Sequence, residues 1–474
     1  MKLVVLNHSY SYEMEKLTRI FLPDEKIEVK SEKTGENELV TEIDGEARVS
    51  FTKDGFHKSL TAPLSEDNEL ELGRLVYKIL SEYTGFYPPW GVLTGVRPSK
   101  LLILEEQAVG ASEAHRRFTE DFLVSEEKYS LAKRVADCEE KIISLSGDNS
   151  VSLYVSIPFC PSRCSYCSFV SHSIENAKAF ALLEEYTNKL ASELQVTGEI
   201  VREKGLKLES VYIGGGTPTT LSASQLSVLI DEIRRSFDLS ACREFTVEAG
   251  RPDTITEEKL IALKQGGVTR ISVNPQSFSD SVLRAVGRKH TASDAVKAYE
   301  LAQNLGFDNI NMDLIAGLPT DTLEGFKSSL LQAVSLNPQG ITVHSLAIKR
   351  SAYINNGENA LPHRRVASEM IGFSINELSK SYIPYYMYRQ SKSAGSLENT
   401  GWCKQGFEGL YNVFMMEECH SVLACGGGAV TRLKAPSGKI QRIFNYKYPF
   451  EYISGFDTVL ERKKGITRFY ETYF

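Results

Sequence analysis

Nowhere does this 474-residue sequence approach the roughly 18 consecutive apolar residues that a membrane-spanning helix needs. The N-terminal MKLVVLNHSYS has only four apolar residues in a row before turning polar, too short a run for a secretory signal core. A cytoplasmic protein without membrane insertion is therefore expected. Cysteine is scarce, with 8 in the chain, which excludes a disulfide framework and makes any cluster of thiols a candidate for metal or redox chemistry. Basic charge is not in surplus either. The 54 Lys and Arg against 61 Asp and Glu give a net charge of -7, which argues against a nucleic-acid or anionic-membrane binder. No internal repeat of 20 to 50 residues is visible beyond a strand–helix period.

What is present is ordinary globular composition, 42% hydrophobic, 24% charged and 10% aromatic, in a chain long enough for two or three domains. Residues 1–148 mix a strand at Lys2–Asn7, a strand pair around Glu38–Phe51 and Leu/Glu/Lys-rich helices, which reads as an α+β domain. The turn formers Ser146-Gly-Asp-Asn-Ser150 mark its end.

From 149 to 349, strand-like runs at Leu153–Ile157, Ser210–Ile213, Glu244–Glu248, Arg270–Val273, Ile310–Ile315 and Ile341–Leu346 alternate with helix-compatible segments. The helical segments are Ala177–Lys204, Ser224–Phe237, Thr256–Lys264, Ala292–Leu305 and Leu323–Ser335. Such alternation implies parallel βαβ units, and six of them give an α/β fold with an open, partial (β/α)6 barrel whose chemistry lies at the strands' C-terminal ends. Residues 350–474 lose the alternation and are rich in aromatics, as expected of a smaller C-terminal domain covering the substrate.

The strongest chemical signal follows the first barrel strand: Cys160, Cys164 and Cys167 in C-x3-C-x2-C spacing. The same spacing would form one face of a helix, but Pro158 and Pro161 oppose that. Two metals compete for a loop of this kind. Zinc would want a fourth ligand, for which His172 is available, giving a zinc-stabilised binding module. An iron–sulfur cluster could take three thiolates and leave one iron open. The second strand ends in Gly214-Gly215-Gly216-Thr217-Pro218, where a backbone can approach a ligand closely. No Gly-Lys-Ser/Thr follows, so a triphosphate-binding loop is disfavoured.

Together these motifs resemble the radical S-adenosylmethionine (SAM) enzymes, and YVSIPFC with GGGTPT is similar to their oxygen-independent coproporphyrinogen III oxidase branch. The resemblance covers about Leu153 to Ile348. The N-terminal GVLTGVRPSKL and the later YRQ…GSLENTGW resemble the HemZ group within that branch. The resemblance implies that Cys160, Cys164 and Cys167 hold a [4Fe-4S] cluster, and that Tyr154, Gly215 and Glu248 contact a SAM bound to it. It further implies that Tyr166, Gly216, Thr217, Gln276, Arg288, Asp313 and Ala347 surround a second SAM. The implied partners are a tetrapyrrole substrate and a flavodoxin- or ferredoxin-type electron donor. The implied reaction is reductive cleavage of SAM, hydrogen abstraction from a propionate by the 5'-deoxyadenosyl radical, and loss of carbon dioxide and one electron to leave a vinyl group.

Two departures bear on the substrate. Phe169 stands where the bona fide oxidases carry a fourth cysteine, as in the subgroup that includes haem chaperones and haem-degrading relatives. The haem-chaperone pattern HNxxYW is absent from the C-terminal part. A tetracarboxylate substrate needs basic partners, for which Arg97, Lys100, Arg251, Lys349, Arg350 and Arg389 are candidates, and the aromatics from Tyr382 to Tyr411 either floor a macrocycle or form core. Taken alone, Asp313 and Arg288 could equally be ordinary ion-pair partners. Cys419-His420 near Cys425 suggests a second metal less well than it suggests buried thiols.

Overall fold

The computed structural model describes residues 1–169, 171–347, 364–390 and 393–474. Lys349 and Arg350 lie outside the described residues. The chain packs as two compact units: Met1–Ala136 with His363–Ser368 and Met387–Asn399, and Asp137–Pro362 with Glu369–Tyr386 and Thr400–Phe474.

The first unit contains β1 (Lys2–Leu6), β2 (Glu28–Lys30), β3 (Glu38–Ile43), β4 (Ala47–Lys53) and β5 (Phe56–Ala62), ordered β2-β1-β3-β4-β5. Helices Ser11–Phe21 and Asn68–Thr84 turn Met14, Leu17, Phe21, Leu72, Val76 and Ile79 onto Leu3, Leu39, Val49 and Phe51, the buried core of this α+β unit. The second of these helices starts where Asp67 accepts the Leu70 N–H at 3.0 Å and stops at Gly85, which takes the left-handed conformation.

Two sequence-distant stretches meet in this unit. Arg389 donates to the carbonyls of Leu93 (2.7 Å) and Gly95 (3.2 Å), and its own N–H to Val96 O (2.7 Å). Glu398 accepts from Trp90 Nε1 and Lys128 Nζ, both at 2.6 Å. The GVLTGVRPSKL and YRQ…GSLEN segments are thus one assembly. With the guanidinium also donating to Ser396 O (2.9 Å) and Ser396 Oγ (3.0 Å), four of its five N–H groups are taken, so it is not available to a substrate carboxylate, which corrects the reading of Arg389 as a candidate.

The second unit is built on β6 (Ser150–Ile157), a short β7 (Phe159–Cys160) and β8 (His172–Ser173), then β9 (Lys207–Gly215), β10 (Glu244–Gly250), β11 (Arg270–Val273), β12 (Ile310–Ala316) and β13 (Gly340–Ser345). β6 and β9 to β13 pair in sequence order, all parallel. β12 is buried at every position but Asp313, as expected of a strand covered on both faces. The intervening helices are capped where the sequence offers side-chain acceptors: Ser222 with Gln225 and Thr291 with Asp294 form capping boxes, and Thr256 and Thr322 cap two more.

Residues after 400 join this sheet. Before these come β14 (Ile383–Arg389) and β15 (Glu398–Cys403), and β15 pairs antiparallel with β13 through Thr400–Cys403. β16 (Ser421–Cys425) pairs parallel with β6 and is followed by β17 (Val430–Lys434) and β18 (Ile440–Phe444). The order is β14-β15-β13-β12-β11-β10-β9-β6-β16-β17-β18, with no described pairing joining its two ends. A six-stranded parallel run has two open edges, and the C-terminal strands satisfy both. Tyr382, Tyr385, Tyr386 and Trp402 are buried, so they are core and not the floor of a ligand site. Among the described residues, no helix is long and apolar enough to cross a membrane.

Candidate functional site

Immediately beyond β6 the chain turns at Pro158 into β7, and β7 pairs with β8 so that Phe159 lies against His172 and Cys160 against Ser173. His172 N–H donates to Pro158 O and Ile174 N–H to Cys160 O, each at 2.9 Å, pinning the base of the cysteine loop. Two further ties hold its body. Ser165 N–H donates to Val286 O at 3.0 Å, and Arg251 donates to Ser162 O (3.1 Å) and Ser162 Oγ (2.6 Å) while Asp253 grips the rest of its guanidinium at 2.9 and 2.7 Å. Arg251 therefore positions the loop and is not a free carboxylate receptor.

Cys164 is buried and Cys160 and Cys167 half-buried, all three as free thiols. Thr217 Oγ1 donates to Cys160 Sγ at 3.5 Å, joining the glycine turn to the cysteine loop. Burial raises the Cys160 thiol and pushes Cys167 up to about 11, and each is raised further by the charge of its neighbouring thiols. A cation placed among them would reverse that balance.

The glycine triplet at the end of β9 does three different jobs. A Cβ on Gly214 would lie 2.8 Å from the Tyr212 ring and 3.0 Å from the Glu248 carboxyl carbon. Gly215 has φ +106°, and a Cβ there would approach Ser156 Oγ to 3.0 Å and Tyr154 Oη to 3.4 Å. A Cβ on Gly216 would lie 2.4 Å from Phe159 O and 2.9 Å from Ile157 O. The chain's own packing against the cysteine loop therefore already requires glycine at 216.

Glu248, near the end of β10, accepts a hydrogen bond from Tyr212 Oη. Burial lifts its carboxyl to about 7; the Tyr212 hydrogen bond holds it down, Asp313 pushes it up and His344 pulls it down. Tyr212 stacks on Tyr411 with ring centroids 4.5 Å apart, and Tyr154 stacks against both at 6.2 and 6.1 Å. Of the aromatic tail, Tyr411 does reach the site residues.

Asp313 sits on β12 with Asn311 Nδ2 donating to its Oδ1 at 2.7 Å and His344 Nε2 lying 3.8 Å from its Oδ2. Despite burial its carboxyl is held below the usual value, chiefly by His344. Gln276 is in the left-handed region (φ +67°), donates its N–H to Asp313 O (2.9 Å), and accepts from Ile315 N–H (3.0 Å). Its side-chain Oε1 is buried with no partner among the described residues. Arg288 donates to Tyr166 Oη (2.9 Å) and Asn274 O (2.8 Å) and its Nε to His290 Nδ1 (3.5 Å). Ala347, half-buried, follows β13.

The structure thus brings Tyr154, Gly215 and Glu248 to one place, joins Gln276 to Asp313, pairs Tyr166 with Arg288, and ties Thr217 to Cys160. The sequence did not single out Tyr212, Asn311, Ser162 or His344. A histidine at the end of an otherwise apolar strand was the one signal available for His344. Arg97 and Lys100 lie in the first unit, where both already have partners. His420 Nε2 is 2.7 Å from Ser152 Oγ, a buried hydrogen bond that accounts for it without a second metal.

Residues 154–333 match the radical SAM superfamily. The oxygen-independent coproporphyrinogen-III oxidase-like protein HemZ of Bacillus subtilis is 35% identical over 434 residues, covering 89% of this chain and 86% of that protein. The chain belongs to the HemZ-like family of radical SAM proteins. The heme chaperone HemW of Escherichia coli is also similar, 29% identical over 64% of this chain and 76% of its own length. Among solved structures, coproporphyrinogen III oxidase (HemN) of Escherichia coli, described as a radical SAM enzyme, shares the fold, with a TM-score of 0.52 and 24% identity over 68% of this chain and 72% of that one.

Membership in the radical SAM family implies a [4Fe-4S] cluster and SAM, and the residues present fit both. Three thiols, none in a disulfide, share one pinned loop and feel one another's charge. Among the described residues no three His, Cys, Asp or Glu side chains are grouped to hold a single metal ion. The His172 ring packs edge-on against Tyr448 and Phe450, with centroids 6.0 and 6.3 Å away. Gln276 Oε1 is the kind of buried, unpaired acceptor that a bound ligand satisfies.

Proposed function

We propose that Cys160, Cys164 and Cys167 hold the cluster, that SAM binds against Tyr154, Gly215 and Glu248, and that the protein oxidatively decarboxylates propionate side chains of coproporphyrinogen III to vinyl groups, giving protoporphyrinogen IX. The observation that carries this reading is the Thr217–Cys160 contact at 3.5 Å, which sets the cysteine loop against the glycine turn beside Glu248. When bound, the cluster and SAM supply one-electron reductive cleavage and hydrogen-atom abstraction, with the electron coming from a flavodoxin- or ferredoxin-type donor.

The chain's part is to bind and orient. Tyr212 holds one oxygen of Glu248, leaving the other to accept from ribose hydroxyls. The Gly215 backbone lets the ligand come close. Arg288, oriented by Tyr166 and Asn274 O, supplies a carboxylate clamp for a second SAM, with Asp313 and Gln276 as acceptors and Gly216, Thr217 and Ala347 along its wall. Tyr411, buried and stacked on Tyr212 beside Glu248, excludes water from that side.

Anaerobic incubation with SAM, a reductant and coproporphyrinogen III tests the reaction. The expected product has lost two molecules of carbon dioxide; SAM cleavage with the porphyrinogen unchanged would overturn it. A second reading, a protein that binds or modifies haem while keeping the cluster, is favoured by Phe169, which stands 66% exposed on the cysteine loop where a fourth thiol would be. Haem titration of the reconstituted protein separates the two, since stoichiometric haem binding together with an unchanged porphyrinogen selects the second.

A further inference from the structure

A second glycine triplet, Gly426-Gly427-Gly428, follows β16 and has no part in the proposed chemistry. β6 lies between β9 and β16, so its end is flanked by a glycine triplet on each side. Ser156 pairs with Gly214 and Ile157 with Gly215 across one edge, and Val155 with Cys425 across the other. All three amides of the C-terminal triplet are spent inside the protein: Gly426 N–H on Glu193 Oε2 (2.7 Å), Gly427 N–H on Tyr186 Oη (2.8 Å) and Gly428 N–H on Tyr446 O (2.7 Å). It is therefore no cradle for a ligand. It grips Ser156 instead. Ser156 Oγ donates to Gly427 O at 2.8 Å, and Ser156 O accepts from Tyr186 Oη at 2.7 Å. A Cβ on Gly426 would lie 2.6 Å from both Ser156 O and Tyr186 Oη.

The grip is anchored in buried polar groups. Glu193, in the helix Leu183–Glu203, is fully buried, and both its oxygens are satisfied: Oε1 takes Lys463 Nζ (2.8 Å) and Asn445 Nδ2 (2.7 Å), and Oε2 takes Tyr452 Oη (2.6 Å) besides the Gly426 N–H. Lys463, from the helix Phe456–Tyr473, also donates to Ala424 O at 2.6 Å, on the strand that delivers the triplet. A buried ion pair with its bonds made holds one arrangement, since a slip leaves a charge unpaired. On the other side of β6, Ser156 Oγ lies 3.0 Å from where a Cβ of Gly215 would stand, and Gly216 N–H donates to the next carbonyl, Ile157 O, at 2.8 Å. We propose that the C-terminal glycine turn is a positioning element of the SAM site, and that Ser156 is the positioning residue through which it acts, fixing the end of β6 and the Gly215 backbone beside it. The inference rests on the SAM assignment above.

The test uses anaerobically reconstituted full-length protein and compares two substitutions that both strain the backbone. Gly426 and Gly428 have positive φ, +101° and +74°, so alanine is disfavoured at either. Only at 426 does the new methyl group drive into Ser156; at 428 its nearest neighbour is Lys447 O at 3.4 Å. Iron and sulfide content, melting temperature, equilibrium SAM binding and the change that SAM makes in the electron paramagnetic resonance spectrum of the reduced cluster are measured for each. Gly428→Ala should melt lower than the wild type yet bind SAM as tightly and give the same spectral change. Gly426→Ala should bind SAM about tenfold more weakly. Ser156→Ala removes the bond to Gly427 O without adding an atom. It should keep its iron and sulfide, bind SAM about fivefold more weakly and show an altered spectral change, and it gives the answer if Gly426→Ala does not fold. Wild-type affinity in Ser156→Ala would overturn the proposal, as would affinities that fall in step with melting temperature across all three variants, the mark of a merely structural turn. A wild-type protein that carries its cluster but binds no SAM would instead remove the SAM assignment itself, and this proposal with it.

Discussion

Arg251 reaches from the end of β10 to Ser162, in the middle of the cysteine loop, with hydrogen bonds of 3.1 and 2.6 Å to its carbonyl and hydroxyl. Asp253 holds the same guanidinium in a two-point grip, and the arginine is buried. The loop that carries the thiols is therefore braced by the strand end next to Glu248.

Removing that brace should loosen cluster retention without unfolding the protein. Arg251→Ala forfeits charge-assisted bonds and leaves Asp253 half-paired, a cost of about 2 kcal/mol. Iron retained after gel filtration should fall and the melting temperature should drop. Arg251→Lys restores charge but not the fork and should recover only part of the iron. Cys164→Ala should lose iron and sulfide altogether while keeping its melting transition. Full iron in Cys164→Ala would remove that thiol from the ligand set.

Glu248 gives a pH signature with a definite sign. In the folded protein its carboxyl is lifted by burial to about 7, above the ordinary glutamate value of 4.5. Folding therefore holds a proton that the unfolded chain has released, and stability from this group falls as pH rises from about 4.5 to about 7. Glu248→Gln keeps an acceptor for Tyr212 and removes the buried charge. It should melt a few degrees higher than wild type at pH 8 and alike at pH 4.5, while losing SAM affinity. Calorimetry at the two pH values checks the first part; a variant less stable than wild type at pH 8 would contradict it.

Most of the strand–helix alternation was legible because each element is locally consistent. Arg270–Val273 and Leu323–Ser335 fall where the pattern places them, and Ser222, Thr256, Thr291 and Thr322 mark helix starts with side-chain acceptors. The Ala177–Lys204 helix breaks at Leu182 into two, with no proline or glycine to announce it. β5 was missed because its positions alternate between exposed and half-buried, so FHKSLTA carries almost no core signal. The C-terminal strands were illegible for another reason. Their burial comes from completing the edges of a sheet made elsewhere, which no local period records. Around the site, motif residues were readable by spacing, but Arg251, Tyr212 and His344 act through partners 89, 36 and 31 residues away, and a single sequence does not display such pairings.

The glycine turn separates packing from ligand approach. Gly216→Ala drives a methyl group to 2.4 Å from a carbonyl of the paired β7, which is backbone and cannot swing aside. A loss of about 3 kcal/mol and a lower melting temperature are expected. Gly215→Ala meets Ser156 Oγ at 3.0 Å and the Ile157 backbone nitrogen at 3.3 Å, milder contacts than those at Gly216, and its positive φ adds about 1–2 kcal/mol. SAM affinity relative to stability should therefore suffer more in Gly215→Ala. The reverse ranking in paired melting and binding measurements would place ligand approach at Gly216.

Arg288 is the residue that tests the proposed second SAM. It is buried with three partners: Tyr166 Oη, Asn274 O and His290 Nδ1. With Arg288 Nε donating to Nδ1, the neutral His290 ring carries its proton on Nε2. Burial, with Arg288 next, lowers His290 to about 4, so the ring stays neutral beside the guanidinium at working pH. A neutral histidine orients the arginine without cancelling its charge, and the arginine's three bonds use one N–H on each nitrogen, leaving two of the five N–H groups for the carboxylate of an amino acid. On fully reconstituted protein, equilibrium binding should give two SAM per cluster. Arg288→Ala should give one, with SAM cleavage partly retained and vinyl product lost. Tyr166→Phe removes one of the arginine's partners but not its charge, so it should weaken the second binding event while preserving the stoichiometry. A wild-type stoichiometry of one would rule out the second site and leave Arg288 as a brace for the cysteine loop through Tyr166, in which case Arg288→Ala and Tyr166→Phe should lose iron in parallel.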